Sequence, residues 1–110
     1  MTTIIELFDT EEPLNNILST TAIKPDRLVG LGDRQISKAK TQRPLLGYLR
    51  AMGLSTNTQF IPCRTYDIAH IAATIESVLQ QYGSENCIID VLGGSDTLLL
   101  AAGCCCQNHP

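Results

Sequence analysis

Four times along the chain a short, β-branched or aliphatic run gives way to a segment whose apolar residues recur at helical steps. The first run, residues 3–8 (TIIELF), carries the branched and aromatic side chains that suit a pleated strand. Asp9-Thr10-Glu11-Glu12-Pro13 follows, with a proline fit for a first helical turn and acids fit for the positive helix end. Leu14, Ile17, Leu18 and Thr21 then share one helical face, until Lys24-Pro25-Asp26 breaks it. The second run is residues 27–32 (RLVGLG). After it, 33–43 is polar and basic and reads as a loop. Pro44 opens the next helix on Leu45, Leu46, Leu49 and Met52, and Gly53 is placed to end it. The third run, 58–63 (TQFIPC), contains Pro62, which donates no ladder hydrogen bond and so predicts a sheet edge. Asp67 caps the clearest helix, striped by Ile68, Ile71, Ala72, Ile75, Val78, Leu79 and Tyr82 and closed by Gly83. The fourth run, 87–92 (CIIDVL), is nearly continuously apolar, as in strands covered on both faces. Gly93-Gly94-Ser95-Asp96 turns it into a last helix with Leu98, Leu99, Ala102 and Cys105 facing inward.

A β-α unit repeated four times predicts parallel strands joined by right-handed crossovers. The expected fold is α/β and Rossmann-like: a mainly parallel sheet of order 3-2-1-4 with helices on both faces. Strand three is then an edge, in agreement with Pro62. Strands one and four lie side by side with connections leaving in opposite directions, which is the switch point where open α/β sheets bind ligands. Strand four becomes the other edge although it is the most apolar strand, a hazard if left bare. The expectation is therefore an N-terminal part of a longer protein, or an edge covered by a partner subunit. The 110 residues make one domain, 1–110. At 44% hydrophobic and 17% charged the chain is globular, and with 5% aromatics and no Trp its core must be aliphatic. The longest apolar stretch, 98–106, is half of the about 20 residues a membrane-spanning helix needs. Glu6 and Asp9 stand where a signal peptide would be basic or apolar. Five cysteines, three of them consecutive, are no secreted disulfide framework, so a cytoplasmic protein is expected.

Chemistry can gather at three loops. In Gly93-Gly94-Ser95-Asp96-Thr97, glycines permit close backbone approach and a helix start offers N–H groups to a phosphate, a ribose or a base edge. The same residues also suit an ordinary tight turn, and the charge of Asp96 opposes a simple phosphate cradle. In the loop Asp9-Thr10-Glu11-Glu12 after strand one, three carboxylates suit ribose hydroxyls, base N–H groups or acid–base work, or simply match the helix charge, with Thr10 among the candidate ligand contacts. Arg34, with Lys38 and Lys40, follows strand two. All eight Lys and Arg lie between 24 and 64, so a basic edge is available to an anion in a chain of net charge -3. Gly30-Leu31-Gly32 is half of a dinucleotide fingerprint and follows the wrong strand. Cys104, Cys105 and Cys106 point in different directions around a helix and read as small core fillers. His70 falls on the polar face of its helix, and neither it nor His109 has a ligand spacing. No metal and no cofactor is expected. Glu6 and Asp90, polar within central strands, are expected to hydrogen-bond to turns or loops.

The segments IIELFDTEEPLNNIL, RLVGLGDR and above all CIIDVLGGSDTLLLAAG resemble the N-terminal domain of CRISPR-associated Rossmann-fold (CARF) proteins, in the branch that carries a restriction-endonuclease-like nuclease domain. That family's fourth strand ends in a D-x-T-G-G-T-like turn. Here it reads Asp90-Val91-Leu92-Gly93-Gly94-Ser95, with Leu92 for a small polar residue and Ser95 for Thr. The resemblance implies a homodimeric, nucleotide-binding sensor of cyclic oligoadenylate, chiefly the tetra-adenylate, acting in type III CRISPR antiviral defence. It implies that Asp9, Gly93, Gly94, Ser95 and Thr97 line the ligand with Arg34 nearby, and that binding activates a C-terminal effector nuclease outside this chain. This domain would itself be non-catalytic. Two alternatives stand beside that reading. One is a ring nuclease that cuts its cyclic ligand with Ser95, Thr97 and Arg34. The other is a Rossmann-like dimerisation domain without a ligand.

Overall fold

The first β-branched run is paired on both sides. β1 (Thr3–Leu7) is parallel to β2 (Arg27–Gly32), from Thr3 opposite Arg27 to Leu7 opposite Leu31. It is also parallel to β4 (Cys87–Asp90), from Thr3 opposite Cys87 to Glu6 opposite Asp90. β3 (Asn57–Pro62) pairs with β2 alone, which completes a four-stranded sheet of order β3-β2-β1-β4. The expected order is therefore observed, and Pro62 ends an edge strand. This computed structural model describes residues 1–8, 20–90 and 96–108, and at Asp96, Thr97 and Asn108 the backbone alone.

Alternation along the strands builds two cores. One face carries Ile4, Phe8 and Leu28 against Ile36, Leu45 and Leu49. The other carries Ile5, Leu7, Val29 and Leu31 against Ile71, Ile75 and Val78 of α2 (Ile68–Tyr82) and Leu98, Ala101 and Cys105 of α3 (Asp96–Asn108). Helices thus cover both faces, and every residue of β1 is buried.

Helix boundaries follow capping chemistry. The Asp67 carboxylate accepts the His70 N–H at 3.1 Å and opens α2. Gly83 closes it at φ +85, and Gly53 follows α1 (Ala39–Ala51) at φ +72, a region in which a side chain is strained. Of the expected first helix, residues 14–19 lie outside the described residues. A helical turn at 20–23 stops where the sequence predicts, at Lys24, whose φ is 53.

Four expectations are corrected. The stretch 33–43 is not a loop: Arg34–Ser37 is a 3-10 turn started by the Asp33 carboxylate, which accepts the Gln35 N–H at 2.8 Å. α1 then begins at Ala39 and runs to Ala51, with Pro44 inside it. Ala-Lys-Thr-Gln-Arg before the proline hold a helix well, and Leu45 and Leu49 anchor it to the sheet. Met52, expected on the stripe, is exposed. Ile68 is 40% exposed, because it is the first residue of α2 and the stripe meets the core only from Ile71. Finally, β4 is not covered on both faces: as an edge strand it leaves Ile88 41% exposed.

Candidate functional site

Glu6 and Asp90 stand opposite each other on β1 and β4, so the two strands end at one level of the sheet. Glu6 is fully buried, and its Oε1 accepts the Thr20 hydroxyl at 3.0 Å. That contact places Thr20 and the helical turn that it opens, the described end of the β1–β2 connection, on the Glu6 face of the sheet. The connection into β4 runs through α2 on the other face. The two crossovers therefore diverge between β1 and β4, as a switch point requires. Asp9, Thr10 and Glu11, like Gly93, Gly94 and Ser95, lie outside the described residues. The strands that lead into those segments are neighbours and parallel. Asp96 and Thr97 form the first turn of α3.

The third expected contributor is at the same end of the sheet. Arg34 sits in the 3-10 turn directly after β2 and is exposed, and its carbonyl accepts the Ser37 hydroxyl at 2.9 Å. Lys38 is the N-cap of α1 and Lys40 lies in its first turn; both are exposed. No side chain caps this helix start and no acid lies in its first turn, so the positive helix end and the exposed Lys38 and Lys40 occupy one stretch of chain.

Beside that helix start lies a feature the sequence reading missed. A cavity of about 240 Å³ opens between the sheet and α1, lined by Phe8, Phe60, Ile36, Lys40, Thr41 and Pro44 among others. The Phe8 and Phe60 rings lie 6.1 Å apart at 58°. Gly30, on the strand between them, is what lets them approach, since a Cβ there would meet each ring at 2.8 Å. So Gly30 serves ring packing, not a dinucleotide loop. Counting by twos puts residues 8, 30 and 60 on one face once the strand order is known.

Three of the thiols are held in the neutral form. Burial pushes Cys63, Cys87 and Cys105 above the ordinary thiol range. Of the consecutive cysteines only Cys105 fills the core; Cys104 and Cys106 are exposed, which corrects the expectation that all three do. His70 is half-buried and its Nδ1 accepts the Arg64 N–H at 3.1 Å. Among the described residues no three His, Cys, Asp or Glu side chains gather to hold a metal ion. No helix among them is long and apolar enough to cross a membrane.

Neither a protein-family model nor a curated protein sequence matches the chain. A solved structure does: Can2 from Sulfobacillus thermosulfidooxidans in complex with cyclic tetra-adenylate, with a TM-score of 0.76 over 98% of this chain at 19% sequence identity. The chain has the fold of part of Can2. It spans 30% of the length of the Can2 chain. The Rossmann-like α/β architecture expected from the sequence is thus the architecture of a solved protein. Can2 was seen with a cyclic nucleotide, the ligand class that the resemblance of the GGSDT turn implies.

Proposed function

We propose that the chain is a CARF-type regulatory module that binds cyclic oligoadenylate in type III CRISPR defence. The observation that carries this reading is the switch point: β1 and β4 end side by side, with Glu6 opposite Asp90, and open toward the segments that hold Asp9 and Gly94. The fold shared with Can2, seen with cyclic tetra-adenylate, supports the ligand class. In this reading backbone N–H groups of Gly93, Gly94 and Ser95 and the hydroxyl of Thr97 meet phosphate and ribose, while Asp9, Thr10 and Glu11 meet ribose hydroxyls or base N–H groups. Arg34 supplies counter-charge from the β2 side. Two chains enclose one ring across a two-fold axis, and the closure is passed to an effector nuclease in the full-length cytoplasmic protein.

Calorimetric titration of the chain with cyclic tetra-adenylate and cyclic hexa-adenylate tests it. Saturation at one tetra-adenylate per two chains is expected, with Gly94→Phe abolishing it. Heat-silent titrations with both rings overturn the reading and leave the ligand-free dimerisation domain. Chromatography of the ligand after long incubation is expected to return intact ring. Linear products would assign the chain to the ring nucleases instead.

A further inference from the structure

The outer side of α1 holds a glycine that the chain itself does not use. Gly47 lies exposed in the interior of the helix, and a Cβ built on it would meet nothing within 4 Å. A glycine at such a place lowers helix stability relative to alanine. Gly30 is explained by the rings packed on it, and Gly53 and Gly83 by their positive φ. Gly47 has neither reason, and its bare backbone suits close approach from outside the chain. A shallow hollow of about 230 Å³ runs along this side of the helix, lined by Ala39, Gln42, Arg43, Leu46, Gly47 and Arg50. Leu46 and Gly47 stand between Arg43 and Arg50, which are two turns, or about 10.5 Å, apart along the helix. Both arginines are exposed, and among the described residues neither is in an ion pair. An exposed helix face is commonly supported by pairs of opposite charge. α1 carries no acid at all, and no Asp or Glu occurs from 34 to 66.

We infer that this side of α1 docks an acidic amphipathic helix of another protein, with carboxylates on Arg43 and Arg50 and an apolar side chain between them, seated on Leu46 beside the bare Gly47 backbone. A helix laid along α1 repeats the same two-turn spacing. Acids at i and i+7 then face the two arginines, and residues at i+3 and i+4 face Leu46 and Gly47. Each guanidinium fork takes a carboxylate through two parallel hydrogen bonds. A second copy of this chain does not fit: α1 against α1 sets arginine on arginine, and neither α2 nor α3 holds two acids within its bounds. A nucleic-acid strand would match the cations and leave Leu46 and the recess at Gly47 unfilled. Neither arginine is assigned above to the cyclic ligand, so failure here leaves that function standing.

Fluorescence anisotropy of the 110-residue chain with labelled, alanine-rich helical peptides tests it. The first peptide carries Glu, Leu, Ala and Glu at i, i+3, i+4 and i+7. The second has the same composition in scrambled order, and the third has Lys in place of Glu. The first is expected to bind about tenfold more tightly than the second. Arg43→Glu combined with Arg50→Glu is expected to reverse the choice, rejecting the Glu peptide and taking the Lys peptide, whereas a chain merely damaged by the changes would take neither. Gly47→Ala is expected to raise the melting temperature, and Gly47→Leu, which fills open space away from the core, to weaken the Glu peptide about tenfold. Equal binding of the ordered and scrambled peptides, or a preference that survives the double reversal, overturns the docking site. A single-stranded oligonucleotide that binds more tightly than the Glu peptide and is lost in the double variant makes the face a nucleic-acid surface instead. Sedimentation that shows a dimer broken by the double variant makes it a contact between copies. Either result overturns the acidic helix as its occupant.

Discussion

Gly30 shows how much one absent side chain sets. A Cβ at this position meets both Phe8 and Phe60 at 2.8 Å, and neither ring belongs to a flexible chain end. Gly30→Ala is expected to cost about 1–3 kcal/mol by overpacking, read as a lower urea midpoint at constant slope. Thr20 matters through one atom: its hydroxyl donates to the fully buried Glu6 carboxylate. Thr20→Val leaves that acceptor without the bond and is expected to cost about 1–3 kcal/mol in the same measurement. The thiols set an alkaline limit. Burial raises Cys63, whose Sγ lies 3.4 Å from the Gly32 carbonyl oxygen, and the nearby Asp33 carboxylate raises it further. Because its folded value lies above its unfolded one, its contribution is complete below about pH 8.5 and is lost as pH climbs through the folded value. Urea midpoints are therefore expected to fall at alkaline pH, and less steeply in Cys63→Ala.

At the scale of elements, caps decide where helices stand. Asp67→Ala removes the acceptor for the His70 N–H and is expected to cost about 1 kcal/mol, with loss of hydrogen-exchange protection confined to the first turn of α2. That boundary was legible in the sequence because an Asp, a helical stripe and a terminal Gly agree. β2 was legible for a like reason, its run being bounded by Asp26 and Asp33. α1 was not. Pro44 is a strong local signal for a helix start, yet the five residues before it extend the helix, since Leu45 and Leu49 hold it to the sheet from the far side of the proline. Ile68 fits the stripe of α2 by spacing and lies open to solvent, because periodicity records which face a residue shares and not whether another element reaches it. The location of the switch point could be read from the order of the elements. The cavity beside Phe8 and Phe60 could not, because its lining comes from the end of β1, from β3, from the 3-10 turn and from α1, and no local window contains it.

At the scale of the molecule, charge is distributed against its sum. The net charge is -3, yet every Lys and Arg lies between 24 and 64, and Arg34, Lys38 and Lys40 gather where β2 meets α1. Affinity for a cyclic oligoadenylate is therefore expected to weaken as salt is raised, and Arg34→Ala to flatten that dependence, in titrations at low and physiological ionic strength. β1 ties the two halves of the molecule together. Its five residues are wholly enclosed, and it lends Ile4 to one layer and Ile5 to the other. No movement of this strand can be absorbed within a single layer. Close packing leaves neither layer slack, so any substitution that displaces this strand has to be accommodated by the helices above it and below it together.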